Sequence, residues 1–317
     1  MLASQPTAKT GGPLFAPLPA LHHSSAVPGA FHMNQLVVRS AKPTPIGDLL
    51  NLASMIRGFW RYRDLIHQFT AREFLVRHKC TSLGIAWAVI QPLLTLSIYT
   101  FIFGFVFKNR WNKLDGYAWA DFTLHFFAGY VVFSIFADTV NRSPSFVTEH
   151  PNLVRKVVFP LEILPITATG ASLLYSTFGL GLLLLATGIL AHSFSWTIIF
   201  FPLVLVPLVM ITLGVSWIFA SMGAFIRDFK QVVPVLTQLV FFMTPVFYDV
   251  NNIDPQFRWI IRLNPLTIVV ENARKTLLWG EVPNWTDLVI LTAVGLVVMV
   301  LGYAWFMKSK RGLADVL

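Results

Sequence analysis

Residues 84–107 form a run of 24 with no charged side chain, and such a run severely restricts how a chain can fold. About 20 apolar residues in helical form span the hydrocarbon core of a bilayer, where the backbone must satisfy its own hydrogen bonds. Further apolar runs, the first two holding a single carboxylate each, follow at 122–140, 159–191, 194–226, 232–248 and 288–307. The expected fold class is therefore an all-α integral membrane protein with six transmembrane helices. Composition agrees, since 55% of the 317 residues are hydrophobic, only 12% are charged and the mean hydropathy is +0.65. Pro92 lacks an amide hydrogen and is predicted to loosen the first helix. Pro160 and Pro165 are predicted to set an oblique segment apart from the third helix, and Pro202 and Pro207 to bend the fourth.

The segments around the spans divide the chain further. Residues 1–44 are rich in Pro, Ala, Ser and Gly and read as a disordered or non-native extension, with Met33 as an alternative start. Within 45–82, Leu49, Leu52, Ala53, Ile56, Phe59 and Trp60 recur at helical spacing, interleaved with Arg57, Arg61, Arg63, Arg72, Arg77 and Lys79. This reads as a basic amphipathic helix lying on the cytoplasmic surface of the membrane. Residues 83–317 hold the six-span domain. Inside it, 257–261 and 266–278 are too short to cross and are broken by Asn264-Pro265, so they read as re-entrant or interfacial helices.

The net charge of +9, with a pI near 9.8, reads as topogenic rather than as a nucleic-acid footprint in a chain this apolar. With the N-terminus cytoplasmic, 17 Lys and Arg residues fall on the inner side and 7 on the outer side. Both termini are therefore expected in the cytoplasm.

No phosphate-binding loop, no zinc-protease or nucleophile-elbow motif and no Cys/His cluster occurs in the sequence, and Cys80 stands alone. No catalytic residue, metal or cofactor is expected in this chain, and any ATP and Mg must be bound by another polypeptide. Ionisable residues within the spans are few. Asp138 and Arg142, four apart, read as a neutralising helical pair, Glu162 as a neighbour of Arg155 and Lys156, and His125 as a structural histidine. Aromatic runs at Tyr99, Phe101, Phe103, Phe105 and Phe107, and at Phe241, Phe242, Phe247 and Tyr248, read mostly as lipid or helix contacts. Sugar rings also stack on aromatic faces, so a wide pore lined by them would let a polar polymer slide.

Several strings together resemble a known family. Residues 72–79 (REFLVRHK) and 82–92 (SLGIAWAVIQP) resemble the approach to the first span in permeases of polysaccharide ABC exporters, the type 2 ABC transporters of O-antigen, teichoic acid and capsule. Residues 152–160 (NLVRKVVFP), Glu162 to Pro165, Arg227-Asp228, Thr244-Pro245-Val246 and Asn264-Pro265-Leu266 follow in matching order. The family pattern often has a basic residue where this chain has Leu161.

The resemblance implies a homodimer in the bacterial inner membrane, associated with two copies of a separate ATPase and moving a polyprenyl-diphosphate-linked polysaccharide. It implies a coupling helix at about 145–157, carrying Glu149, His150, Asn152, Leu153, Arg155 and Lys156, that docks on the ATPase. It also implies periplasmic gate helices at about 253–280 and recruitment of the lipid diphosphate by Arg72, Arg77 and Lys79. The pore or gate candidates are Trp87, Tyr99, Phe241, Phe247, Tyr248, Asn264 and Pro265. The residues alone also admit a permease for a drug or simple lipid, or a membrane-embedded polyprenyl-phosphate transferase.

Overall fold

The apolar runs fold as helices. The computed structural model describes residues 51–79, 82–108, 111, 118–149, 159–190 and 195–316, with the backbone alone at 78, 79, 118, 311 and 313–316, and no strand occurs among them. The extension at 1–44, Cys80 and most of the expected coupling helix lie outside these residues.

The segment before the first span is two helices, α1 (Leu52–Arg61) and α2 (Arg63–Lys79). Asn51 caps α1, its side-chain oxygen accepting from the amides of Ala53 and Ser54 at 3.0 and 3.4 Å. Within this segment amphipathic segregation is confined to α1, where Leu52, Met55 and Phe59 pack inward while Arg57 and Arg61 are exposed. The single amphipathic helix expected here is corrected on this point. Apolar and charged residues are spread around α2, which lies along the third span: Thr70 approaches Gly170, and the rings of Phe74 and Tyr175 stand 4.7 Å apart.

Among the described residues five helices are long and apolar enough to cross a membrane: Gly84–Val106, Trp119–Ser145, Leu161–Leu190, Trp196–Phe225 and Trp285–Lys310. Their α-helical parts are α3 (Trp87–Tyr99), α4 (Ala118–Arg142), α5 (Leu164–Leu190), α6 (Phe201–Phe225) and α10 (Trp285–Val316). Pro92 sits inside α3 without ending it. The irregularity falls later, in a π-helical segment at Thr100–Val106, where the Thr100 and Thr123 hydroxyls are 3.0 Å apart and Gly104 lies against Phe122 and Trp119. Pro160 precedes a 3-10 turn at Leu161–Ile163, setting it apart from α5. Pro202 occupies the first turn of α6, so it starts that helix instead of bending it.

The expected fifth span is shorter than its apolar run. Helix α7 (Phe229–Met243) has 15 residues and ends where Thr244 adopts an extended conformation (φ −91°, ψ 133°). At 1.5 Å per residue it is about 22 Å long, against roughly 30 Å of hydrocarbon. Two short helices follow, α8 (Pro255–Leu263) and α9 (Pro265–Arg274), and α9 continues as a π-helical segment, Lys275–Trp279. Gly280 closes it in the left-handed conformation (φ +69°).

Helix α4 is the centre of the bundle. Of its apolar stretch 83% is buried, against 6% for the first span, so the first span forms an open outer face. Helices α6 and α10 pack with their backbones almost touching, because Gly214 faces Gly302 with no side chain between them. A second core gathers around Trp217, whose Nε1 donates to the Glu162 carbonyl at 3.0 Å. The Phe59 ring of α1 stacks on Trp217 at 5.9 Å and Tyr303 of α10 meets it edge-on at 5.3 Å. The Glu162 carboxylate pairs with Lys310 at 2.5 Å. The expected partners Arg155 and Lys156 lie outside the described residues, and α10 instead supplies the charge.

Candidate functional site

A cavity of about 340 Å3 opens between α3, α4, α5 and α7. Its walls change character along the spans. Gln91, Thr95, Asn141, Ser176, Thr237 and Gln238 give hydrogen-bonding groups, while Tyr99, Tyr130, Phe133 and Phe241 give aromatic faces. The Asn141 Oδ1 is buried with no donor among the described residues, which leaves an acceptor available on the cavity wall.

At one margin of the cavity stands a charged cluster that joins α2 to the spans. Arg77 donates to both carboxylate oxygens of Asp138, at 2.8 and 2.5 Å, in the two-pronged geometry that suits guanidinium and carboxylate. Ser172 of α5 donates to the same carboxylate at 2.5 Å and receives Thr139 at 3.1 Å. The Arg77 guanidinium also lies 4.5 Å over the ring of Tyr175, whose hydroxyl donates to the Phe74 carbonyl at 2.7 Å. Burial acts to lower the pKa of Arg77, but the hydrogen bond and charge of Asp138 outweigh it and raise the value above the ordinary one. Arg142 reaches Glu73 of α2. The Asp138–Arg142 pair expected from helical spacing is therefore replaced by two longer-range pairs, each tying α2 to α4.

The expected site residues divide between this cavity and the region beyond it. Trp87, Tyr99 and Phe241 line the cavity and Arg77 stands at its margin. Arg72 is exposed on α2, and Lys79 is its last residue. Tyr99 stacks on Phe126 at 4.7 Å and touches Phe241 at 6.1 Å, and Phe241 leads to Phe247 at 5.8 Å and on to Tyr248 at 5.1 Å. An aromatic path thus connects the cavity to the α7–α8 loop. Asn264 joins that loop to α9, donating to the Thr244 hydroxyl at 2.8 Å and accepting from the Leu266 amide at 3.0 Å, and Pro265 opens α9. Glu149 is exposed at the end of the turn after α4, whereas His150, Asn152, Leu153, Arg155 and Lys156 lie outside the described residues.

In the sequence Arg274 reads only as one of the 7 outer-side basic residues. In the fold it is fully buried, donating to the carbonyls of His125 at 3.1 Å and Val246 at 2.8 Å, with its guanidinium 5.0 Å over Trp111. Burial pulls its pKa down to about 10, so it remains charged at neutral pH. His125 has the structural role expected of it, with Nε2 accepting from Trp279 at 2.7 Å and Nδ1 at 2.7 Å from the Asp121 carbonyl. Arg274 clamps α9 to α4 and to the Val246 loop. Arg274→Lys keeps a buried charge but loses the fork, so it is expected to lower thermal stability more than Arg274→Met. Met itself should cost about 1–3 kcal/mol, the usual penalty for a buried acceptor losing its donor. Thermal denaturation of the two purified variants checks the order.

A bundle of helices long and apolar enough to cross a membrane, with a hydrogen-bonding and aromatic cavity against its least buried span, defines a multi-pass membrane protein. The ABC-2 type transporter family model matches residues 64–278, well over half of the chain, and the chain belongs to that family. Its members are transport subunits that work with an ATPase partner. Relatives include the O-antigen export system permease protein RfbA of Klebsiella pneumoniae, 29% identical over 257 residues that cover 80% of this chain and 95% of the relative. RfbA of Myxococcus xanthus is 24% identical, covering 82% and 98%. The polysialic acid transport protein KpsM of Escherichia coli is 25% identical, covering 81% and 97%.

Proposed function

We propose that this chain is the channel-forming subunit of an ATP-driven exporter that moves a polyprenyl-diphosphate-linked polysaccharide across the bacterial inner membrane. The observation that carries the reading is the cavity, where amide and hydroxyl groups share the walls with aromatic faces beside the Arg77–Asp138 pair. Hydroxyl-rich sugars suit such a mixed lining, and a diphosphate competes with Asp138 for the Arg77 fork. The named relatives at 24–29% identity over most of the chain support the same substrate class.

In this reading the chain works as a homodimer, the open face of the first span and α7 meeting its counterpart so that two cavities form one channel. Helix α7 and the loop after it complete a sixth crossing, α8 and α9 act as gate helices at the outer exit, and both termini face the cytoplasm. ATP and Mg are bound by two copies of the partner ATPase, which pull on a coupling helix at 145–157. No chemistry is performed on the substrate. The test is purification of the full chain with its ATPase from native membranes, followed by ATPase assays with and without lipid-linked glycan. Glycan should stimulate hydrolysis several-fold. Arg155→Glu with Lys156→Glu is expected to reduce ATPase recovery at least tenfold, and unchanged recovery with intact export rejects the coupling assignment.

A further inference from the structure

A second concavity, of about 810 Å3, lies between α6 and α10 and shares no lining residue with the cavity described above. Its walls are the last turns of α6 and the stretch of α10 from Leu301 to Ser309, which at 1.5 Å per residue is about 12 Å long. Met222, Phe225 and Ile226 form one wall and Leu301, Ala304 and Trp305 the other. Phe225, Ile226, Leu301 and Trp305 are each about half exposed, at 46%, 50%, 55% and 53%. The lining is apolar except for Ser221, Ser309 and one charged residue, Lys308. No carboxylate lines the groove, and none pairs with Lys308 among the described residues, whereas Lys310 is committed to Glu162.

An apolar slot along two spans that carries a cation unpaired among the described residues has the polarity profile of a lipid. Trp305 sits one turn inside Lys308, where an interfacial ring meets the headgroup level. Basic pockets between spans on the cytoplasmic side attract anionic headgroups. We propose that this groove binds an anionic phospholipid of the inner leaflet, one acyl chain lying along Ile218 and Leu301 and the phosphate meeting Lys308. The proposal shares the orientation argued above but does not depend on what is transported. The bound lipid would brace the α6–α10 pair beyond the mid-helix contact of Gly214 and Gly302.

The experiment is native mass spectrometry of the full-length chain taken from vesicles of phosphatidylglycerol and phosphatidylcholine in equal parts. The wild type is expected to retain phosphatidylglycerol about fivefold over phosphatidylcholine, the factor one lysine gives at roughly 1 kcal/mol. Lys308→Gln, an exposed and structurally mild change, should erase the preference while total lipid is kept. Ala304→Phe should fill the groove and lower retention of both lipids. The proposal is overturned if Lys308→Gln keeps the preference, or if polyprenyl phosphate added to the vesicles displaces the retained lipid. It is equally overturned if Ala304→Phe changes the oligomeric state, which would make this face a protein interface. None of these readings involves the ATPase, so failure here is separable from failure of the exporter assignment.

Discussion

Gly302→Ala and Gly223→Ala are each expected to reduce recovery of folded, monodisperse protein by more than tenfold. A Cβ at Gly302 would overlap the carbonyl of Gly214 across the α6–α10 contact, and one at Gly223 would overlap the backbone of Pro144. In both cases the obstacle is backbone, which cannot rotate away as a side-chain tip does. Overpacking in a well-packed core costs about 1–3 kcal/mol, and more where main chain must separate. Two helices that meet through small residues gain their association from close van der Waals contact along the whole seam, so one methyl group pushes the seam apart. Gly58 of α1 is the control, because its Cβ would have no heavy atom within 4 Å. There alanine should be neutral or stabilising by up to about 1 kcal/mol through helix propensity. Fluorescence-detected size exclusion of the three variants gives the comparison, and normal yields for Gly302→Ala would mean the seam is looser than described.

The spans were legible because a charge-free run of 24 residues leaves one economical fold, and helix position followed directly from it. The limits of the reading have particular causes. The run at 232–248 contains Thr244-Pro245, and a residue before proline is driven from the helical region, so α7 ends at Met243 although the apolarity continues. Hydropathy alone did not register that break. Asp138 and Arg142 have the spacing of a helical pair, yet Arg77 and Glu73 reach them from 61 and 69 residues away. Local periodicity contains no information on such partners; they appear only once α2 is laid along α4 and α5. Arg274 was hidden in the same way, since a basic residue in an apolar segment reads alike whether it faces water or, as here, the carbonyls of His125 and Val246.

Substitutions at the margin of the cavity are expected to act in opposite directions on the two sides of one ion pair. The Arg77 fork is filled by Asp138, so in the proposed exporter a diphosphate must compete with that carboxylate for the same two donors. Asp138→Asn removes the competing charge, while its amide oxygen still accepts from Ser172, which now donates to Asp138. The concentration of lipid-linked glycan needed for half-maximal ATPase stimulation should fall about threefold to tenfold. Arg77→Gln removes the cation and should raise that concentration tenfold or more, since hydrogen bonds to charged groups contribute roughly 1.5–3 kcal/mol. Both side chains are partly solvated, at 34% and 20% exposure, so the smaller ends of these ranges apply. A purely structural staple between α2 and α4 predicts something else: either change would loosen α2, lower thermal stability alike and shift stimulation in the same direction. Titrating ATPase activity against glycan for the two single variants and their combination separates the cases. If Asp138→Asn weakens stimulation as Arg77→Gln does, the pair holds the helix and the phosphate is bound elsewhere.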